Sequence, residues 1–277
     1  MADQEGRIAV VTGGGRGLGR GAALGLASKG ATVIAVSRSE DQVAETAQLA
    51  AASGGRVIPV AADVTDIASV EALAGRVRDE VGTPTILVNA AGQFGPIALI
   101  HESDPREWIR TVTVLALSPY LMVREFLAGM LDEGWGRIVN VTSAASLHPP
   151  GPLNSAYATG KVALNQFTRH LAAEIAGTGV TANVIHPGDV QTDMYRDIRD
   201  RVERMGPIAE AYQSWAKWVD ETGGDPPEKA VDLILRLTSD AGGARNGEFA
   251  WIDEPLQAPI PSWGEAPKLQ PWLQKAE

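Results

Sequence analysis

The sequence contains no cysteine. That removes disulfide frameworks, thiolate nucleophiles and Cys-ligated metals from the chemistry open to it. A thiol-free chain suits a reducing compartment, and a cytoplasmic location is the expectation. Histidine is scarce: His101, His148, His170 and His186 are the four present, too far apart to form a local ligand motif, so no metal site is expected. Basic residues are outnumbered, 24 Lys and Arg against 34 Asp and Glu, which leaves a formal net charge of -10. They are also scattered rather than clustered, so a nucleic-acid partner is not expected. No apolar run reads as long enough to cross a membrane. The polar start, residues 1–6, leads straight into a strand and does not resemble a signal peptide. What is left is a 277-residue chain, ample for one α/β domain with a large core or for two small ones.

Taken in order, residues 7–12 form a short apolar run with β-branched members, the pattern of a buried parallel strand. It breaks into Gly13-Gly14-Gly15-Arg16-Gly17-Leu18-Gly19, after which apolar residues recur at helical spacing. A strand, a glycine-rich turn and a helix N-terminus together make an anion site. The backbone can approach a pyrophosphate closely, and free N–H groups and the helix dipole favour negative charge. The second strand, residues 31–36, runs into Ser37-Arg38-Ser39, with no carboxylate before Glu40. A ribose 2′-hydroxyl is usually held by an acidic residue at this point, whereas a serine and an arginine suit a 2′-phosphate. NADP(H) is therefore expected in preference to NAD(H), with Arg16 as a possible second cation.

Further strands are expected at 56–60, 85–88, 136–143 and 180–185, and at 247–252, with helices at 40–52, 67–81, 106–130 and 155–176 between them. Asp63, followed by Val64, lies where a strand ends, within reach of an adenine amino group. Asp66 reads as a helix N-cap. Asn89-Ala90-Ala91-Gly92 closes another strand with small residues that permit close approach. The alternation predicts an α/β fold, a Rossmann-type doubly wound parallel sheet of about seven strands with helices on both faces and ligands at the carboxyl ends of the strands. Tyr157 and Lys161 stand four residues apart at the start of a helix and so share a face. A cation near a phenol favours the phenolate. Lowering a reference pKa of about 10 by ~3 units requires roughly 4 kcal/mol of differential stabilisation, which the lysine and a positively charged nicotinamide ring could supply.

Together these motifs resemble the short-chain dehydrogenase/reductase family in its compact single-domain branch. Thr12 to Gly19 is similar to its cofactor turn and Asn89-Ala90-Ala91-Gly92 to its Asn-Ala-Gly motif. Ser143, Tyr157 and Lys161 match its catalytic serine, tyrosine and lysine. Pro187-Gly188 through Val190 and Thr192 matches the segment beside the nicotinamide. The resemblance covers roughly residues 6–195. It implies an NAD(P)-dependent oxidoreductase acting on a small-molecule carbonyl or alcohol, with the protein a dimer or tetramer. Tyr157 would exchange the proton, Ser143 would hold the carbonyl oxygen, and Lys161 would bind the nicotinamide ribose and lower the Tyr157 pKa. Gly13, Gly15, Arg16, Gly17, Leu18, Gly19, Ser37, Arg38, Asp63, Val64, Asn89, Ala90 and Gly92 would line the cofactor, with Pro187, Gly188, Val190 and Thr192 at its nicotinamide end.

The chain departs from the family's pattern in places. Leu115 falls where many members carry an asparagine that anchors a proton-relay water, so proton delivery must run differently or more slowly. That position alone suggests a second reading, a catalytically weak dinucleotide-binding sensor or assembly subunit. The loop before Tyr157 is rich in proline (Pro149, Pro150, Pro152). A lid is expected over about 190–222, where Met194, Tyr195, Met205, Tyr212, Trp215 and Trp218 could either line an apolar pocket or pack as core. The folded domain is expected to span 1–253. Residues 254–277 form a Pro- and Trp-rich tail expected to pack on its own or a neighbouring subunit.

Overall fold

The computed structural model describes residues 4–147 and 150–252, so the predicted packing of the 254–277 tail lies outside the described residues. Seven strands, β1 (Ile8–Thr12), β2 (Thr32–Ser37), β3 (Arg56–Ala61), β4 (Ile86–Asn89), β5 (Gly136–Val141), β6 (Val180–His186) and β7 (Phe249–Trp251), build one sheet in the order β3-β2-β1-β4-β5-β6-β7. Every pairing is parallel. From β1 the chain winds outward to β3 and then crosses back to β4, so the order reverses between β1 and β4. In sheets of this kind a crevice opens at that switch point, above the carboxyl ends of the strands.

Alternation along each strand divides the core between two faces. Val11, Val33, Val88 and Val139 point to one side, where they meet Leu26 of α1 (Gly17–Ser28) and Leu233 and Ile234 of α9 (Pro227–Thr238). Val10, Ile34, Leu87 and Ile138 point to the other, against Leu73 of α3 (Ile67–Glu80), Met122 and Phe126 of α5 (Ser118–Asp132) and Leu171 of α6 (Ser155–Glu174). Helix starts follow the expected cap chemistry. Ser39 accepts from Gln42 N at the head of α2 (Glu40–Ala52), and Asp66 accepts from Ser69 N at α3. Asp104 accepts from Arg106 N ahead of Pro105 in α4 (Pro105–Val112).

The helix predicted over 106–130 is present as Pro105–Asp132, but not as an uninterrupted α-helix. Between α4 and α5 the backbone passes through a π turn, Thr113–Leu117. Pro119 explains it. A proline has no N–H to give the carbonyl four residues back, that of Leu115, and its ring would crowd it. The ladder widens instead, with Ser118 N donating to Thr113 O, and the Ser118 hydroxyl takes up Val114 O at 2.7 Å. Pro105–Asp132 as a whole also amends the reading of hydropathy, being 28 residues long with a window of mean hydropathy 1.4, enough by length and composition to cross a membrane. Half of that window is buried inside the fold, packed on the sheet and α6, which accounts for the apolar residues on that side.

The lid segment forms two helices, α7 (Asp193–Val202) and α8 (Glu210–Thr222). They have their own small core with Phe94, Ile97 and Leu153.

Candidate active site

A cavity of about 850 Å³ lies across the carboxyl ends of the strands, running from the glycine turn to the lid. At one end Gly13, Gly15, Arg16, Gly17, Leu18 and Gly19 form its floor. A Cβ at Gly13 would stand 2.9 Å from the Ala90 carbonyl oxygen, and one at Gly19 would collide with the Gly13 carbonyl. The turn is therefore folded tightly against β4 and against itself, which brings bare backbone to the cavity surface. At the head of α1 no side chain bonds the first N–H groups, and no acidic residue lies in the first turn. These free donors at a helix N-terminus fit a pyrophosphate.

Ser37, Arg38, Asp63 and Val64 line the next stretch. Arg38 is exposed at the rim. The Ser37 hydroxyl shapes its own turn, donating to Ser39 O at 2.9 Å and accepting from Ser39 N at 3.2 Å. Asp63 accepts from Thr65 N at 2.9 Å and from the Thr65 hydroxyl at 2.6 Å. Burial opposes its charge, but these bonds and the Arg38 and Arg110 cations outweigh burial and hold the carboxyl below its ordinary value. Arg16 is engaged elsewhere, paired with Asp193 of the lid at 3.3 Å. Ala90 and Gly92 line the cavity. Asn89 lies beneath them, 4% exposed, and its amide donates to Asn140 Oδ1 at 2.8 Å. It braces the strand ends from below instead of forming part of the cavity wall.

Ser143, Tyr157 and Lys161 converge on the far wall, with Pro187, Gly188, Val190 and Thr192 opposite. Ser143 follows β5 in extended conformation and heads a short 3₁₀ turn, its hydroxyl accepting from Ala145 N at 3.2 Å. Ser143 and Tyr157 are joined by a side-chain hydrogen bond. Lys161 is 5% exposed, and its ammonium donates to Val141 O at 2.7 Å.

The expected depression of the phenol's pKa does not arise from the protein alone. Burial pushes Tyr157 up to about 12; the Ser143 hydrogen bond works against the rise and the Asp189 carboxylate adds to it. Burial likewise pulls Lys161 down to about 7. The Lys161 ammonium lies 5.6 Å from the centre of the phenol ring, directed at a carbonyl.

The lid resolves the choice between pocket and core by splitting it. Met194, Tyr195, Tyr212 and Trp215 line the cavity, Met205 packs in the lid's own core, and Trp218 is 44% exposed. Phe94 stacks on Tyr157 with centroids 4.7 Å apart and meets the edge of Tyr212 at 5.9 Å. Trp215 donates to Asp189 Oδ1 at 3.1 Å. Sequence reasoning missed Phe94, two residues beyond Gly92, and gave no role to Asp189, which lies within the 187–192 segment it had matched. It also missed His186, which reads as structural in sequence but accepts from Ala144 N at 3.2 Å, next to Ser143.

The family model for short chain dehydrogenases matches residues 7–203. The short chain dehydrogenase pigC of Monascus ruber is 38% identical over 254 residues, covering 90% of this chain and 79% of its own length. The 3-oxoacyl-[acyl-carrier-protein] reductase of Escherichia coli is 34% identical over 249 residues, covering 90% and 96%. Among solved structures, one from Beutenbergia cavernae, assigned to NAD(P)-dependent gluconate 5-dehydrogenases and holding NADP, matches with TM-score 0.77 and 35% identity over 90% of this chain and 96% of that one. A single-residue variant of the actinorhodin polyketide ketoreductase with NADPH matches with TM-score 0.81 and 25% identity, covering 91% and 96%.

Proposed function

The chain belongs to the short-chain dehydrogenase family and is an NAD(P)-dependent oxidoreductase; on that premise we propose that it uses NADP(H) to interconvert a carbonyl and a secondary alcohol, with Tyr157 as the general acid and base. The observation that carries this is the convergence of Ser143, Tyr157 and Lys161 on one wall of the cavity that begins at the glycine turn. The bound nicotinamide supplies or accepts the hydride. Tyr157, protonated throughout the neutral range, gives its proton to the substrate oxygen in the reducing direction. Ser143 donates to that oxygen and so opposes charge development there. Lys161, fixed by Val141 O, faces the ribose side and contributes charge only in the fraction that is protonated near neutrality.

Ser37 and the exposed Arg38 support NADP(H), because an arginine grips a 2′-phosphate with several donors and no carboxylate stands at the end of β2 to bind a 2′-hydroxyl. Phe94, Met194, Ile198, Ile208, Tyr212 and Trp215 around the reacting end favour a small to medium, largely apolar substrate. The activities named for the E. coli reductase and the actinorhodin ketoreductase agree with a ketone as the reducible group. We place the reaction in the cytoplasm. Exposed Ile109, Leu117 and Tyr120 give the outer side of α4 and α5 the apolar character that a homo-oligomer contact needs.

The test follows NADPH and NADH oxidation across ketones, aldehydes and diketones, with Tyr157→Phe and Arg38→Asp alongside. NADPH-preferring turnover that collapses in Tyr157→Phe, with the preference reversed in Arg38→Asp, is expected. A preference for NADH sinks the cofactor assignment alone. Tight NADPH binding without turnover of any substrate favours a dinucleotide sensor.

A further inference from the structure

We propose that Asn165 is a positioning residue for Ser143, acting through Thr142 and Ser146. On α6, Tyr157, Lys161 and Asn165 follow at intervals of four residues and so occupy one helical face. Asn165 is 3% exposed and reaches back to the turn after β5. Its Oδ1 accepts from the Thr142 hydroxyl at 2.6 Å, and its Nδ2 donates to the Ser146 hydroxyl at 2.8 Å. Ser146 passes the restraint on, its hydroxyl donating to the Ser143 carbonyl at 2.6 Å. Thr142 and Ser146 are themselves 1% and 3% exposed. One amide thus holds the residue before Ser143 and the residue three beyond it.

The chemistry requires this amide and this orientation. Ser146 commits its only hydroxyl proton to the Ser143 carbonyl, so it can only accept from Asn165. Thr142 donates, so the amide must present its oxygen there. A carboxylate at 165 would lose the donor toward Ser146, and an apolar residue would lose both bonds and leave the buried Thr142 hydroxyl only its long contact, 3.5 Å, with Lys161 O. Besides this clamp, the turn is held at Ala144 N by His186 Nδ1, and the residue leading into it at Thr142 N by the Ile185 carbonyl. Tyr157 and Lys161 ride on the same helix as Asn165, so the clamp fixes Ser143 relative to both.

The inference rests on Ser143 acting at the substrate oxygen, and the experiment separates the two. Steady-state kinetics would be compared for wild type, Ser143→Ala, Asn165→Ala, Ser146→Ala, Ser146→Thr and the Ser143→Ala/Ser146→Ala double variant. A clamp that sets geometry predicts that Ser146→Ala and Asn165→Ala lower kcat by about tenfold to a hundredfold, the scale of a misplaced catalytic group. KM for NADPH stays unchanged and Ser146→Thr recovers the rate. In the Ser143→Ala background the Ser146→Ala change then costs nothing further. Should Asn165→Ala fail to fold, the Ser146 pair carries the test. Full additivity of the double variant, or Ser146→Ala at the wild-type rate while Ser143→Ala is impaired, overturns the positioning role alone. Ser143→Ala at the wild-type rate overturns the premise as well.

Discussion

Two glycines inside helices should answer the same substitution with opposite signs. Replacing a mid-helix glycine by alanine stabilises by roughly 1 kcal/mol on backbone grounds. Gly75 lies within α3, and a Cβ there would meet nothing within 4 Å; Gly75→Ala should gain that full amount. Gly160 lies in α6 between Tyr157 and Lys161, and its Cβ would stand 2.8 Å from Leu115 Cβ and 3.0 Å from Leu115 Cδ1. Leu115 is 1% exposed and is held in the π turn, so it has little room to retreat. Overpacking of this kind costs about 1–3 kcal/mol, which exceeds the backbone gain and leaves Gly160→Ala lower by about 1 kcal/mol. For a chain of this size each kcal/mol moves the thermal midpoint by roughly 2–4 °C. Thermal unfolding followed by circular dichroism should therefore show Gly75→Ala rising and Gly160→Ala falling by similar amounts. Because the strain falls between the two reacting residues, kcat should drop in Gly160→Ala and hold in Gly75→Ala. A midpoint that rises in both would refute the claim that α6 and the π turn are in hard contact.

The same packing sets the outcome of Leu115→Asn. It forfeits about 1.5–3 kcal/mol of apolar burial and buries an amide at a further ~1–3 kcal/mol, so denaturant unfolding should show a large loss; a stable, faster variant would refute this. Lys161 predicts a pH trend. Its folded pKa of about 7 lies below the ordinary 10.5, so between those values the unfolded chain binds the extra proton and stability rises with pH. Lys161→Met should flatten that rise in chemical denaturation curves, and an unchanged slope would refute the shift. Trp215→Phe removes the donor to Asp189 but keeps a ring against Tyr195 and Tyr212. Substrate KM should rise several-fold while the thermal midpoint moves by only what one hydrogen bond, about 1 kcal/mol, allows; a KM at the wild-type value would refute a role for that bond in shaping the lid.

Parts of the protein that obey short-range rules were legible in the sequence. Parallel strands buried on both faces read as apolar runs, and β5 and β6, buried along their whole length, were placed to within a residue or two. The glycine turn, the Asp66 cap and the Tyr157–Lys161 pair each act within one turn of chain and so were in view, the turn and the pair taking their weight from the strand and helix alternation around them. What escaped needed contacts from far away. Arg16 reads as a free cation until Asp193, 177 residues on, is folded beside it. Asn89 ends a strand as a cofactor residue should, yet which side of the sheet end its amide takes depends on Asn140 across the ladder. The π turn is the instructive middle case, since Pro119 was in view and is a local signal. Apolar residues continue on both sides of it, so hydropathy alone did not show the extra residue of the wider step. Its consequence, Leu115 pressed on Gly160 so that α6 sits close enough for Asn165 to reach the serine turn, joins three segments by packing alone. A constraint of that kind, made by packing between distant segments, leaves no mark in any one stretch of sequence.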